Sequence, residues 1–197
     1  MLAITIVLTE GYSDWEIGVL AGIGGAFYSA DIKFVSAEGG AVTGISGLKT
    51  GALERFSAPD GGIVVVCGGP AFGSDTPPEI EERLKEAYEN GCAVAGICGA
   101  TLALARAGLL DDVAHTSNGL DYLQAVKTYQ GAAHYRDQPQ AVRDGRIITA
   151  AAPAPASFAV AVLEAAGVEQ EAAGVIMGML SQEHARVGSR RGAHGLQ

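Results

Sequence analysis

Two uninterrupted apolar runs constrain this chain more than any other feature. GIVVVC (62–67) and CAVAGI (92–97) offer no alternating polar face, so each reads as a strand covered on both sides. Between them lies PPEIEERLKEAYENG (77–91), which has prolines at its start, acids in its first turn and a glycine at its end. That is the pattern of a helix. The same alternation continues along the chain. LAITIVL (2–8) reads as a first strand, followed by a helix from about Asp14 to Ser29 and a strand DIKFVS (31–36). AVTGISGLKT (41–50) is punctuated by glycine and reads as a hairpin, and GATLALARAG (99–108) as a helix closed by Gly108. A helix is expected over GLDYLQAVKTY (119–129), then a hairpin over QAVRDGRIITA (140–150) turning at Asp144–Gly145. PASFAVAVLEAAG (155–167) and EAAGVIMGMLSQEHA (171–185) read as closing helices.

Strands alternating with helices predict an α/β chain: a doubly wound, mainly parallel sheet with helices on both faces, plus a small β-hairpin. No linker or repeat divides it, so a single domain is expected over 1–186, with a flexible tail over 187–197.

Composition excludes several functions. The formal charge of −9 over 197 residues repels a phosphate backbone, which argues against nucleic acid. No run is long enough to cross a membrane. The three cysteines and four histidines form no CxxC pair and no ligand set, so no metal or cofactor is expected. An odd cysteine count and an N-terminus without a basic leader point to the cytoplasm.

Cys98 is the residue on which function turns. It ends a buried strand, precedes a helix and is flanked by small residues in VAGICGAT (94–101). In an open parallel sheet, chemistry collects at the carboxyl ends of strands. The spacing has the logic of a nucleophile elbow, in which a strained backbone lifts the side chain clear of the sheet. Amides opening the following helix would favour a thiolate. The alternative is a packed cysteine acting as a small hydrophobe, the reading given to Cys67 and Cys92.

Two more stretches bear on that choice. In GYSDWEIG (11–18), Ser13 and Glu16 fit a capping box, with Glu16 bonding back to the Ser13 amide. Alternatively, Glu16 points toward Cys98 and exchanges a proton or hydrogen bond with it. In CGGPAFGS (67–74), the glycine pair follows a buried strand and can present the Gly69 amide beside that of Gly99 as an oxyanion hole. Trp15 and Phe72 are candidate pocket walls, or else core residues.

These pieces, in this order and spacing, resemble the ThiJ/PfpI family, the superfamily of the Parkinson-disease-associated protein deglycase. The resemblance runs over almost the whole chain: the first strand with GYSDWE, VVVCGGPAFG, AGICGAT with LALARAGLL, VRDGRIITA and PASFAVAVLEAAG. DWE, ICGA, HTSN and VRDG are similar to a bacterial subgroup of intracellular proteases/amidases. The resemblance implies a flavodoxin-like fold and a homodimer. It makes Cys98 the reactive elbow cysteine, Glu16 its partner carboxylate, and Gly69 and Gly99 the oxyanion amides. Family members act as glyoxalases or deglycases, isocyanide hydratases, peptidases or redox-responsive stress proteins, so membership does not fix a reaction.

The departures narrow the field. Peptidase-like members have histidine directly after the cysteine, and hydratases threonine, whereas this chain has Gly99. Many members place a histidine in the segment reading AHTSNG (114–119). Here either His115 serves as the base, or Ser117 occupies that place and His115 is a structural residue. Asn118 completes the candidate pocket. An arginine common before the PASF-like helix is replaced by AAAPAP (150–155), leaving a less polar site. The expectation is a cysteine-dependent enzyme of small reactive carbonyl compounds. The alternatives are a redox-responsive protein with Cys98 oxidised to sulfinate and, disfavoured by Gly99, an amidase or peptidase.

Overall fold

The computed structural model describes residues 2–189, with side-chain surroundings through 182. Six strands form one sheet in the order β2-β1-β3-β4-β6-β5. β1 (Ile4–Leu8), β2 (Ile32–Ser36), β3 (Ile63–Val66), β4 (Ala93–Ile97) and β6 (Ile147–Ala150) run parallel, and only β5 (Val142–Asp144) is antiparallel.

The apolar runs explain the centre of this order. Every residue of β3 and β4 is buried, because helices cover both faces of the sheet. Period-two alternation divides β3 between them. Ile63, Val65 and Cys67 pack with Ile17 and Leu20 of α1 (Asp14–Tyr28), Phe158 and Val162 of α5 (Pro155–Ala165) and Ile176 of α6 (Gln170–Ser189). Val64 and Val66 join Leu84 of α2 (Glu81–Glu89) and Leu102 and Leu104 of α3 (Ala100–Arg106) on the other face.

Four sequence expectations change in detail. The 140–150 hairpin is the sheet's edge rather than an appendage, since β6 pairs with β4. Its turn falls on Gly145–Arg146, because Asp144 still pairs with Ile147. The helix expected over 119–129 forms only as α4 (Leu120–Gln124). The 41–50 hairpin reduces to a loop closed by the isolated antiparallel bridge Thr43↔Lys49. Of the tail expected over 187–197, residues 187–189 continue α6, and 190–197 lie outside the described residues. No helix among the described residues is long and apolar enough to cross a membrane.

Candidate active site

The chain leaves β1 toward β2 on one side and returns to β3 on the other. The crevice of an open sheet lies at the carboxyl ends of strands beside such a reversal. Three turns converge there: β1 into α1 carries Glu16, β3 continues into Gly68–Gly69, and β4 continues into Cys98.

Cys98 adopts φ 55°, one of two non-glycine residues with positive φ among those described. A left-handed residue with a Cβ costs about 1–2 kcal/mol. Neighbouring bonds offset that strain. The Cys98 amide donates to Ala150 O at 2.9 Å, and the Thr101 hydroxyl donates to Cys98 O at 2.6 Å. Ser117 Oγ in turn lies 2.7 Å from Thr101 Oγ1, whose own proton goes to Cys98 O, so it donates to that hydroxyl and supports the turn. Asn118 faces the sulfur, with Nδ2 donating to Cys98 Sγ at 3.4 Å. The Asn118 amide is itself oriented by Ala152 N–H, which donates to Oδ1 at 3.0 Å. The AAAPAP turn thus supplies a backbone donor to the site.

Ser13 caps α1 by position, but no side-chain cap bond forms, so the capping box is absent. Glu16 turns inward instead and is fully buried, with neither carboxyl oxygen in a well-formed hydrogen bond. Its carboxyl lies against the Cα of Gly68. A Cβ there would collide with Glu16 Oε2 and stand 2.5 Å from Ile97 O and 2.8 Å from Cys98 Cβ. Burial pushes the Glu16 pKa up to about 7, against the opposing pull of the Cys98 thiol, Ser13 and the Gly68 amide. The carboxyl is therefore poised to hold or release a proton at neutral pH.

The thiol is not the low-pKa group the helix amides suggested. Burial raises its pKa above the ordinary value and Glu16 adds to the rise, while Asn118 and the Gly99 amide oppose it. α3 spans only Ala100–Arg106, and its amides do not outweigh desolvation. The resting site is a protonated thiol beside a carboxyl that can take its proton.

Gly69 and Gly99 are in close contact. A Cβ on Gly99 would run into Gly69 O and stand 3.3 Å from Gly69 N. Neither amide donates to a backbone carbonyl among the described residues.

His115 is turned to other partners. Its Nδ1 lies 2.8 Å from Val113 O and its Nε2 2.7 Å from Tyr129 OH. A carbonyl only accepts, so Nδ1 carries the proton and Nε2 accepts from the phenol. Burial lowers the pKa of His115, and burial pushes Tyr129 up to about 12, so both stay neutral. With both nitrogens engaged, His115 offers Cys98 no free base. Phe72 is likewise a correction: at 1% exposure it belongs to the core beneath α3, and Trp15, 51% exposed, turns to solvent.

The sequence reading missed Tyr122. Burial raises its phenol pKa, the charges of Cys98 and Glu16 add to the rise, and Asn118 opposes it. Nothing in GLDYLQ marks it, because its approach depends on how α4 docks. Among the described residues no cluster of three or more His, Cys, Asp or Glu could hold a metal ion.

An open parallel sheet with a cysteine at this turn and a buried glutamate behind it defines a recognisable class. The chain belongs to the DJ-1/PfpI family, whose profile matches residues 3–165. It is 34% identical over 163 residues, 77% of either chain, to a Bacillus subtilis protein named uncharacterized protease YoaZ. The structure of a DJ-1 superfamily protein from Agrobacterium tumefaciens is similar, with TM-score 0.87 and 36% identity over 93% of this chain and 100% of that one. A thiJ/pfpI family protein from Bacillus anthracis matches with TM-score 0.74 and 30% identity, covering 85% of each chain.

Proposed function

We propose that this protein is a cysteine-dependent enzyme that hydrates or hydrolyses small reactive carbonyl compounds, with 2-oxoaldehydes as the substrate class. The observation that carries this reading is the buried Glu16 carboxyl, with a pKa near 7, set against Gly68 and Cys98. A base near neutrality is what a protonated thiol needs in order to attack.

Cys98 Sγ adds to the aldehyde carbon as Glu16 takes the thiol proton. The carbonyl oxygen becomes an oxyanion within reach of the Gly69 and Gly99 amides. Glu16 returns that proton to the oxyanion, takes the proton of the former aldehyde carbon and delivers it to the neighbouring carbon, while the hydroxyl proton passes to the neighbouring oxygen, giving a thioester of a 2-hydroxy acid. Water hydrolyses that thioester and returns the thiol. Asn118 holds the sulfur throughout.

Relatives named proteases raise the question of peptide hydrolysis. The engaged nitrogens of His115 argue against a cysteine–histidine pair. A side chain at position 99 would also collide with Gly69. A second reading, oxidation of Cys98 to a sulfinate, is favoured by one feature: protonated Glu16 could donate to the new oxygen.

The test is methylglyoxal turnover by wild type, Cys98→Ala and Glu16→Gln. Loss of activity in the cysteine variant and a fall of about 10²–10⁴-fold in the glutamate variant are expected. Unchanged turnover in either variant would sink the reading.

A further inference from the structure

Cys67 sits beside the site and takes no part in the chemistry described so far. We propose that Cys67 is a resolving cysteine, and that a hydroperoxide converts the Cys67–Cys98 pair into a disulfide. The inference requires only that Cys98 be oxidisable, so it does not depend on carbonyl turnover.

Placement carries the argument. Val66 of β3 pairs with Gly96 of β4, which sets Cys67 beside Ile97 and one residue diagonal to Cys98. Each cysteine directly follows the last residue of its strand and keeps one backbone bond to a neighbouring strand: the Cys67 amide donates to Val7 O at 3.1 Å and the Cys98 amide to Ala150 O at 2.9 Å. Strand spacing of about 4.8 Å and a rise of about 3.3 Å put the two Cα atoms about 6 Å apart, within the span of a disulfide. Simple alternation would send adjacent-register side chains to opposite faces. The positive φ of Cys98 breaks that alternation, and Cys98 packs against the same cluster that contains Cys67.

The two sulfurs differ in access. Cys98 is half-buried, whereas Cys67 is fully enclosed, its thiol donating to Ser13 O at 3.4 Å. Burial, with the Glu16 charge adding to it, holds the Cys67 thiol well above its ordinary pKa. The oxidant therefore meets Cys98 first, and Cys67 waits as an enclosed thiol within the field of the Glu16 carboxyl.

In the first step Cys98 sulfur attacks the terminal oxygen of the hydroperoxide. The O–O bond breaks, and the thiol proton goes to the departing alkoxide or hydroxide, leaving a sulfenic acid. In the second step Cys67 gives its proton to Glu16 and its sulfur attacks the Cys98 sulfur. The S–O bond breaks, and the leaving hydroxide takes the proton from Glu16 to become water. The two thiols lose two electrons in total and the hydroperoxide gains them. Closure of the disulfide would protect Cys98 from the sulfinate and leave it recoverable by reductants.

The reduced full chain would be treated with one equivalent of hydrogen peroxide, with and without dimedone. It would then be denatured, alkylated and mapped by mass spectrometry. A Cys67–Cys98 cross-linked peptide within one chain, two hydrogens lighter, is expected, with little trapped sulfenate. Cys67→Ala should raise trapped sulfenate severalfold and carry Cys98 on to sulfinate with excess peroxide, while Cys92→Ala should behave as wild type. Cys67→Ser provides a second variant should the alanine form fold poorly. A wild-type sulfenate that persists, a partner other than Cys67, or a Cys98 that peroxide leaves untouched would each overturn the proposal. Methylglyoxal turnover on the same reduced samples separates the cases: activity without cross-linking defeats this inference and leaves the enzymatic reading standing.

Discussion

Glu16 and His115 are both ionisable and both fully buried, yet their surroundings are opposite. His115 has a partner on each nitrogen, Val113 O and Tyr129 OH, with Tyr129 and Tyr135 edge-on to its ring. Glu16 has no well-formed bond on either oxygen, and it faces a strained half-buried cysteine. A buried polar group with all its bonds made stabilises the fold and resists change. One left unsatisfied costs stability, and it persists where the environment is shaped for something that arrives later. The difference assigns the histidine to the structure and, in the proposed reaction, the glutamate to the chemistry.

The largest effect that tests this contrast is on stability against pH. The Glu16 carboxyl has a folded pKa of about 7, against the ordinary 4.5, so folding favours its protonated form. Its stabilising contribution is complete below about pH 4.5 and is lost as pH rises through about 7. The shift is worth on the order of 3 kcal/mol. Urea unfolding at pH 4.5 and pH 8 should show wild type losing about that much relative to Glu16→Gln. Parallel pH profiles for the two proteins would mean that the carboxyl is not desolvated as the structure has it.

A smaller effect is expected at Gly68. Gly68→Ala places a methyl against Glu16 Oε2 and Ile97 O, so overpacking should cost about 1–3 kcal/mol. The same change should shift the pH dependence of iodoacetamide alkylation at Cys98, because the carboxyl must move. Destabilisation with an unaltered alkylation profile would separate Gly68 from the site.

The smallest effect falls on the histidine side. Tyr129→Phe removes the phenol that donates to His115 Nε2 and should cost about 1–2 kcal/mol in unfolding free energy. Alkylation of Cys98 should be unchanged in rate and pH dependence. A changed rate would tie His115 to the cysteine after all and break the contrast.

How legible each feature was follows from where its information resides. β3 and β4 could be read directly, because burial on both faces leaves an unbroken apolar run. α2 could be read in kind but not in extent: expected over 77–91, it spans Glu81–Glu89 and leaves Pro77 and Pro78 outside. Boundaries fared worse. Asp144–Gly145 is a favoured turn pair in isolation, yet pairing of Asp144 with Ile147 moved the turn one residue along. α4 stopped at Gln124 although the helical pattern continued toward residue 129. Cys98 and Glu16 could be named from their spacing, whereas the contact between them could not. Ser13-x-x-Glu16 is the same string whether the carboxyl caps α1 or faces a cysteine more than eighty residues away.

By itself, then, the sequence determined the alternation of strands and helices, the cysteine at the end of β4 and the glycine turns beside it. Those features are local, written in hydrophobic period and turn chemistry. Only the tertiary structure decided which way Glu16 and His115 face, that Asn118 attends the sulfur, and that Cys67 lies diagonal to Cys98. The physical reason is that side-chain direction and pKa depend on neighbours brought in from other strands, and on the water those neighbours exclude.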